Sequence, residues 1–434
     1  MNETLMDRIL ERENMKEAWR RVKSNGGAPG VDGMPLEKFP GFVKEHWPQV
    51  RERIKAGTYV PLPVRRKGIP KPDGGVRNLG IPAVVDRVLQ QAISQILTPI
   101  FDPTFSERSY GFRPGRSAHQ AVRRACQDVK EGYAIAVDLD LLRFFFDEVN
   151  HDVLMERVAR RVKDKVLLRL IGRYLRAGVD VGEGHIQPTV KGVPQGGPLS
   201  PLLSNIVLDD LDKELERRGH RFCRYADDEV ILVRTVRAGE RVMESVRRFL
   251  RKKLKLAVNE KKSRVARMSE CGFLGFTVRR GKIQWTAKAE AEFKRKIRLI
   301  TRRRRGVSMA QRFQELAQFM GGWMGYFRLS EHYRSLPELD HWIRRRLRAC
   351  YWKHWRNVRT KVRELMKLGT KKRTAIQAAM SRKSYWRLSK TLATQTGLTN
   401  DWLKRQGLLS LKEMWVSFHY PSGTKVVTAF ETTV

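Results

Sequence analysis

The pattern of apolar and polar residues divides the chain into a mixed part and a helical part. Short apolar runs within residues 133–141 and 222–233 are typical of strands. Helical spacing of apolar residues predicts helices over 4–24, 84–105, 118–130, 152–178, 200–218 and 237–255. After about residue 286 the strand signals fade, and helices are predicted over 288–304, 309–328 and 336–357, with further short helices and a weakly structured tail after Tyr420. The pattern predicts an α+β fold followed by an α-helical region.

Two adjacent carboxylates, Asp227 and Asp228, interrupt the second apolar run. Tyrosine, valine and isoleucine favour strands, whereas two aspartates are tolerated at a turn but not in a strand interior. Residues 224–233 (RYADDEVILV) therefore predict a hairpin that presents both carboxylates at its bend. Such a pair in a basic chain is typical either of a solvated surface turn or of a divalent-metal site.

A second acidic pair, Asp138 and Asp140, follows an unbroken apolar run at residues 134–137. The run predicts a buried central strand. Because strand side chains repeat every two residues, Asp138 and Asp140 share one face, and the period does not choose between them. A charged group at the end of a core strand is costly unless it is paired or bound to a metal, so this strand end is a second candidate site.

Glycine-rich loops occupy three places in the chain. Residues 25–33 (NGGAPGVDG) predict a loop whose bare backbone suits contact with a phosphodiester, although a plain linker has the same composition. Lys71 and Arg77 flank a predicted Asp-Gly-Gly hairpin turn, an arrangement that suits a lid over a triphosphate but is also common for solvated cations. Gln195 lies among glycines and prolines before a helix predicted to begin at Ser200 or Pro201, where a backbone can lie against a flat ligand.

Charge points to a polyanionic partner. The 434 residues include 87 Lys and Arg against 46 Asp and Glu, a formal net charge of +41, which favours nucleic acid over membrane. No run approaches the ~18 apolar residues of a membrane span, and the N-terminus lacks a signal-peptide core, so we expect a cytoplasmic protein. The scattered cysteines form no metal or disulfide pattern and are expected to be buried apolar residues: Cys126, Cys223, Cys271 and Cys350.

The most cationic region is residues 291–370, with 21 basic and 6 acidic side chains. Tryptophan and tyrosine alternate with the arginines there, and such aromatics provide stacking or packing platforms beside phosphate-binding groups. The candidate RNA-binding residues are Arg302, Arg303, Arg304, Arg344, Arg345 and Arg346.

The acidic strand end and the acidic hairpin together suggest phosphoryl transfer. Transfer from a nucleoside triphosphate uses two divalent ions about 3.5–4 Å apart, held by carboxylates from separate elements. Asp140 with Asp227 and Asp228 supplies such a set. Mg²⁺ is the oxygen-preferring ion expected there, with Mn²⁺ as a substitute.

Seven motifs occur in an order and spacing that resemble one family. They are IPKPDGGVRNLGIP, GFRPGRSAH, AVDLDL, KGVPQGGPLSPLLSN, FCRYADD, VNEKKS and FLGF, and they resemble the reverse transcriptases encoded by bacterial group II introns. NGGAPGVDG resembles that family's N-terminal extension, and GGWMGYF and LDHWIRRRLR resemble its thumb and maturase domain. The resemblance covers about residues 5–410. It implies a right-hand polymerase of fingers, palm and thumb that copies RNA into DNA, binds intron RNA and assists splicing.

The resemblance also implies roles for individual residues. Asp140, Asp227 and Asp228 match the catalytic carboxylates, and the metal site is expected at these three residues with Leu141. An aromatic residue five positions after the catalytic aspartate blocks a ribose 2′-OH, which points to Phe145 when counted from Asp140. The expected nucleotide-binding residues are Lys71, Arg77, Phe145, Gln195 and Lys262. The expected template- and primer-binding residues are Asn25, Gly26, Gly30, Arg113, Pro194, Gly196, Phe273, Leu274, Gly275 and Phe276.

One departure from the family pattern follows Asp140. The family reads D-L-x-x-F-F-D-x-V-N-H-D, whereas residues 140–152 contain one additional phenylalanine before Asp147. Counting back from Asp147 places Leu141, which is not an acid, at the catalytic position. A core strand is harder to shift than the helix start after it, so we expect a bulge near Phe146 to absorb the insertion.

The predicted domains are an N-terminal extension with the start of the fingers (1–82), the fingers and palm (83–286), the thumb and maturase domain (287–375) and a helical DNA-binding-like segment with a tail (376–434). No Cys- and His-rich endonuclease module is evident, so the chain resembles the short class C members, which would prime on nicked, single-stranded or replication-fork DNA. Expected partners are intron RNA, an RNA template, a DNA primer or target and deoxynucleoside triphosphates, bound by a monomer or homodimer. The alternatives are an RNA-binding maturase with an impaired polymerase site and a host-recruited reverse transcriptase for repair or defence.

Overall fold

The chain separates into two units, Met1–Leu274 and Gly275–Val434. The computed structural model describes residues 4–70, 76–139, 148–182, 184–193 and 196–421. The α+β class predicted from the apolar pattern is confirmed, because strands occur up to residue 285 and the regular elements described from there to residue 421 are helices.

The first unit contains helices α1 to α9. They span Leu5–Ile9, Arg12–Asn25, Phe39–Lys55, Val84–Phe101, Ala118–Lys130, His151–Ala159, Lys165–Arg176, Ser200–Arg217 and Val236–Phe249. The predicted start of a helix at Ser200 is confirmed. The predicted helix over 152–178 is wrong in its middle, because α6 ends at Ala159 and Asp164 caps α7. One carboxylate oxygen of Asp164 accepts hydrogen bonds from Val166 N and Leu167 N at 3.0 and 3.1 Å, so a new helix begins there.

Strands β1 to β8 form two sheets in the first unit. They span Val64–Pro70, Val76–Ile81, Ile135–Leu139, Val179–Asp180, Ile186–Gln187, Arg221–Tyr225, Asp228–Val233 and Arg264–Arg267. One sheet has the order β2-β1-β4-β5, and the other has the order β6-β7-β3-β8. Every pair in the second sheet is antiparallel. The short β4 and β5 carry too few residues for a period to predict them.

One face of the second sheet packs on helices. Ile135, Val137 and Leu139 of β3 join Ile231 and Val233 of β7 in the main apolar core, together with residues of α4, α7, α8 and α9. Because strand side chains alternate, the opposite face carries Ala136 and Asp138 of β3. The predicted central strand is therefore present and buried, but it spans Ile135–Leu139, and Ala134 is exposed before its start.

The helix α4 is tied to the preceding segment through a buried carboxylate. Asp86 is 1% exposed and accepts hydrogen bonds from Tyr59 Oη at 2.8 Å and from Leu62 N at 3.2 Å. Burial raises the pKa of Asp86 to about 6, although both hydrogen bonds oppose the increase.

The second unit begins with a hairpin of β9 (Phe276–Arg279) and β10 (Lys282–Trp285). Helices α10 to α18 follow over Ala287–Ile300, Met309–Phe327, Ser335–His354, Val358–Lys367, Lys372–Met380, Tyr385–Leu388, Leu392–Gly397, Asn400–Arg405 and Leu411–His419. Their apolar faces form one core, in which Trp352 is fully buried and Trp355 is 7% exposed. These two tryptophans therefore pack in the core and are not available for base stacking.

The prediction that the cysteines are buried is confirmed. Cys126, Cys223, Cys271 and Cys350 all lie in the interior. Within the described ranges, no helix combines the length and apolar character that crossing a membrane requires. Most of the predicted tail after Tyr420 lies outside the described residues.

Candidate active site

The predicted acidic hairpin is present at residues 221–233. Strand β6 ends at Tyr225, which pairs with Asp228 at the start of β7, so Ala226 and Asp227 form the turn. Ala226 adopts a φ of 58°, a left-handed conformation that a tight hairpin turn requires. Asp227 is exposed and Asp228 is half-buried. Both carboxylates thus lie at the bend, as the sequence predicted.

The strand register brings the end of β3 next to this bend. Leu139 pairs with Glu229, and Asp138 pairs with Val230. Since Val230 and Asp228 are two residues apart on β7, Asp138 and Asp228 lie on the same face of the sheet. Asp138 also pairs in register with Arg264 of β8, and their side chains form an ion pair at 3.8 Å. Asp140, Leu141 and Phe145 lie outside the described residues, as does the predicted bulge near Phe146.

A buried polar network, which sequence reasoning missed, lies beneath the bend. Arg224 and Asp212 of α8 are both fully buried and form an ion pair with N–O distances of 2.5 and 2.8 Å. Nη1 of Arg224 donates to Asn205 Oδ1 at 2.9 Å and to the Ala226 carbonyl at 3.0 Å. The guanidinium therefore fixes the turn residue that immediately precedes Asp227.

The segment before Phe112 closes this network. Asn205 Nδ2 donates to the Gly111 carbonyl at 2.8 Å, and Tyr110 N donates to the Arg224 carbonyl at 2.8 Å. A Cβ at Gly111 would overlap the amide nitrogen of Ala226, so only glycine allows this approach. The signal available in the sequence was a charged residue inside an apolar strand, together with polar residues seven apart on the apolar face of α8.

Glu229 adds a second buried carboxylate to this core. It is 2% exposed, and its Oε1 lacks a hydrogen-bond partner within the part of the chain that the structure describes. Burial and the charge of Asp212 raise the pKa of Glu229 to about 8, against the lowering effect of Arg224. Burial therefore favours the neutral form of Glu229, and the ion-pair partner of Arg224 is Asp212.

The FLGF segment contributes a backbone donor beside the bend. Leu274 N donates to Asp228 Oδ2 at 3.4 Å, and Leu274 has a φ of 53°. Phe273 is buried in the first unit, while Gly275 and Phe276 belong to the second unit. Of this segment, Phe276 lies in a regular strand, at the start of β9. The positive φ of Leu274 explains why the strand starts late.

Lys262 lies at the same end of the sheet. It is exposed and sits in the turn that precedes β8, with its amide donating to the Asn259 carbonyl at 3.1 Å. Because β8 runs antiparallel to β3, the start of β8 lies beside the end of β3. The structure thus places Lys262, the β3 end and the acidic bend at one edge.

The predicted nucleotide pocket is only partly described. Lys71, Pro194 and Gln195 lie outside the described residues, and Arg77 is described only as a β2 residue paired with Ile69. Gly196 has a φ of 129°, and a Cβ there would lie 2.5 Å from the Gly80 carbonyl oxygen. Gly196 therefore packs closely on β2.

The glycine loop after α2 packs on the start of α4. Asn25 ends α2, and Gly26 caps it with a φ of 63°. A Cβ at Gly30 would lie 2.6 Å from Ala83 Cα, so the glycine there is explained by packing. Asn25 is exposed and Gly26 is half-buried, so both stay accessible to a ligand.

Arg113 does not fit a direct contact with template or primer. Its side chain is 3% exposed, and Nε donates to Asp102 Oδ1 at 2.7 Å. Nη1 donates to the carbonyls of Ser106 and Ser109, and Nη2 donates to the Asp102 carbonyl. Its guanidinium holds the 102–109 segment together.

The basic residues of the second unit fall into two groups. Arg302, Arg303 and Arg304 are exposed, whereas the Arg344–Arg346 run is half-buried. Arg345 stacks on Trp386 with its guanidinium carbon 3.8 Å from the ring centre, and Arg346 Nε donates to Thr301 Oγ1 at 2.5 Å. Arg345 and Arg346 are therefore partly engaged in structural contacts, while the side chains at 302–304 are largely accessible to solvent.

The described carboxylates fit part of a metal site. Asp227 and Asp228 supply hard oxygen donors, which suit Mg²⁺. Within the described ranges, no cluster of three or more His, Cys, Asp or Glu residues could hold a metal ion. The third predicted carboxylate, Asp140, is outside those ranges.

Comparison with known families is consistent with this geometry. The family described as "Reverse transcriptase (RNA-dependent DNA polymerase)" matches residues 69–278. The family described as "Group II intron, maturase-specific domain" matches residues 291–369. Protein YkfC of Escherichia coli (strain K12) is 34% identical over 313 residues, which cover 62% of this chain and 81% of YkfC. The chain belongs to the group II intron reverse transcriptase and maturase family.

Other relatives of this group II intron reverse transcriptase are less complete matches. The group II intron-encoded protein LtrA of Lactococcus lactis subsp. cremoris is 29% identical over 328 residues, 60% of this chain and 54% of LtrA. The chain thus spans about half the length of LtrA. A chain of a partial Cas6-RT-Cas1–Cas2 complex is 26% identical, with a TM-score of 0.38, covering 58% of this chain and 43% of that chain.

The reverse transcriptase match covers most of the first unit and the first residues of the second, and the maturase match lies within the second unit. The reverse transcriptase match runs from the end of β1 to β9, and the maturase match runs from α10 to the end of α13. The protein is therefore a reverse transcriptase joined to a maturase-specific domain, and the fold and function implied by the sequence motifs are confirmed. The class C subtype and the four predicted domain boundaries stay predictions.

Proposed function

We propose that the β6–β7 bend and the end of β3 form the polymerase active site. The observation that carries the proposal is the register, which places Asp228 and Asp138 on one face and ends β3 beside Glu229. Asp140 follows β3 directly, and with Asp227 and Asp228 it would hold Mg²⁺, or Mn²⁺ in its place. The bound ions would neutralise the attacking and leaving oxygens during deoxynucleotide addition.

The chain's own residues would position these carboxylates and the substrate. Arg224 holds the Ala226 carbonyl, and Leu274 N donates to Asp228, so the bend is fixed before substrate binds. Lys262 would lie near the departing pyrophosphate, and Lys71, Arg77 and Gln195 would hold the incoming nucleotide. Phe145 would exclude a ribose 2′-OH. Asn25, Gly26 and Gly196 would lie along the template.

Primer extension on poly(rA)/oligo(dT) with Mg²⁺ tests the site. Asp140→Asn, Asp227→Asn and Asp228→Asn should each abolish dTTP incorporation, whereas Asp401→Asn, an exposed carboxylate at the start of α17, should not reduce it. Asp138→Asn should retain activity. If Asp138→Asn loses dTTP incorporation while Asp140→Asn retains it, the catalytic aspartate is Asp138 and the assignment to Asp140 is wrong.

We also propose that the second unit binds intron RNA. Arg302, Arg303 and Arg304 are exposed near the start of the maturase match and support this role. Filter binding of a group II intron RNA against an unrelated folded RNA, at several salt concentrations, tests it. No dTTP incorporation by the pure protein, with intron RNA still bound, would favour a maturase with an impaired polymerase site.

A further inference from the structure

A cationic cavity lies where α10, α11 and α12 meet in the second unit. It has a volume of about 460 Å³, within the range of about 300–1,000 Å³ that is usual for ligand sites. Its basic lining residues come from the loop after α10, from α11 and from the end of α12 and the residues just beyond it: Arg303, Arg304, Arg312, Lys353, His354 and Arg356.

The charges around this cavity are not balanced by the protein. No aspartate or glutamate lines the cavity. Arg303, Arg304, Lys353 and Arg356 are exposed, and none of them forms an ion pair within the described part of the chain. Clustered cations repel one another, so an arrangement of this kind favours binding of an anion.

The protein nevertheless holds some of these cations in place. The guanidinium of Arg303 lies 5.4 Å from the centre of the Tyr385 ring, and Nζ of Lys353 lies 5.8 Å from the same centre. One aromatic ring on α15 therefore fixes two cations from separate elements, which limits the side-chain entropy lost when an anion binds.

Two further groups at the cavity favour an anion. Ser308 caps α11, a helix of 19 residues, by accepting from Gln311 N, and the cavity includes Ser308 and Met309 at this helix N-terminus, where the helix dipole favours negative charge. Arg312 is 3% exposed, and its Nε lacks a hydrogen-bond partner among the described residues. Nη1 of Arg312 donates to the Arg302 carbonyl at 3.1 Å, which fixes the loop that carries Arg303.

We infer that this cavity binds a backbone phosphate of structured RNA. The inference rests on the proposed RNA binding of the second unit and assigns it to one site. Phosphate oxygens accept hydrogen bonds from arginine, lysine and helix amides, all of which converge here. A contact of this kind positions the RNA and carries no base specificity, so base readout has to come from other surfaces.

The test compares two double variants of equal charge. R303Q/R356Q removes two cavity cations, and R373Q/K412Q removes two exposed cations of the same unit that do not line the cavity. Affinity for a labelled intron RNA hairpin is measured between about 50 and 200 mM salt, where phosphate contacts dominate the salt dependence. The same titration with a DNA hairpin of matching sequence shows whether RNA or DNA supplies the phosphate.

R303Q/R356Q should weaken RNA binding by roughly tenfold or more, because a hydrogen bond to a charged group contributes about that factor. The slope of log affinity against log salt should fall by about 1 per lost contact. R373Q/K412Q should change both quantities far less. Equal losses in the two variants, or no loss in either, would overturn the inference, and a loss confined to DNA would overturn RNA as the source.

A second measurement does not depend on RNA binding. In EDTA, tripolyphosphate should raise the melting temperature of wild type and of R373Q/K412Q, but not that of R303Q/R356Q, since a ligand stabilises the form that binds it. Equal increases in melting temperature in all three proteins, or no increase in wild type, would overturn phosphate binding in the cavity. If tripolyphosphate raises the melting temperature of wild type but wild type does not bind intron RNA, the proposed RNA function fails while the phosphate site stands.

Discussion

The Arg224–Asp212 pair should be essential to the acidic bend. Both side chains are fully buried, with N–O distances of 2.5 and 2.8 Å. Removal of one partner of a buried ion pair costs about 3–5 kcal/mol, because the other charge stays buried without compensation. Arg224→Met should therefore destabilise the protein by about that amount and also free the Ala226 carbonyl that Arg224 now binds.

Urea denaturation and primer extension on the same preparations measure the two effects. Arg237→Met, at an exposed position in α9, is the matched control and should change stability by no more than about 0.5 kcal/mol. The double variant Arg224→Met/Asp212→Leu should lose less stability than the sum of the single variants, since neither charge is then left unpaired. It should still extend primers poorly, because the turn has lost its donor. Wild-type stability and activity in Arg224→Met would refute the reasoning.

Further predictions concern a buried acid and two glycines. The pKa of Asp86 is raised to about 6 by burial, so its neutral form is favoured in the folded state and wild type loses stability as pH rises from about 4 to about 6. Asp86→Asn should not show that loss. If urea denaturation gives the same difference in free energy of unfolding between the two proteins at every pH from 4 to 7, the assignment to Asp86 is contradicted. Gly111→Ala should lower extension activity and stability, because its Cβ would overlap Ala226 N. Gly41→Ala in α3, where a Cβ meets nothing within 4 Å, should instead stabilise slightly, by about 0.4–1 kcal/mol. Similar melting temperatures for the two glycine variants would contradict this account.

Much of the architecture could be predicted from the sequence. Helix α5 spans Ala118–Lys130, the range that apolar spacing predicted, and the acidic hairpin at 221–233 forms with its carboxylates at the bend. Local chemistry determines such features, because strand formers flank residues that only a turn accommodates. The net charge of +41 likewise identified nucleic acid as the partner class without any structure.

Other features depended on contacts between distant residues. Arg113 reads in the sequence as a basic turn residue, yet the fold buries it against the 102–109 segment. The sequence leaves Trp352 open as either a stacking or a packing residue, and the fold buries it fully in the core of the second unit. The sequence shows that a residue is aromatic or charged. Whether its side chain is buried depends on which other elements of the fold cover it.

The sequence by itself determined the family, the presence of the acidic bend and the class of partner. Those properties depend on residue type and local spacing, which motif order preserves. Only the tertiary structure revealed that Arg224, Asp212, Asn205 and Gly111 join beneath that bend, and that Arg303, Lys353 and Arg356 surround one cavity. These residues are far apart in the chain, so only folding brings their charges and hydrogen-bonding groups together.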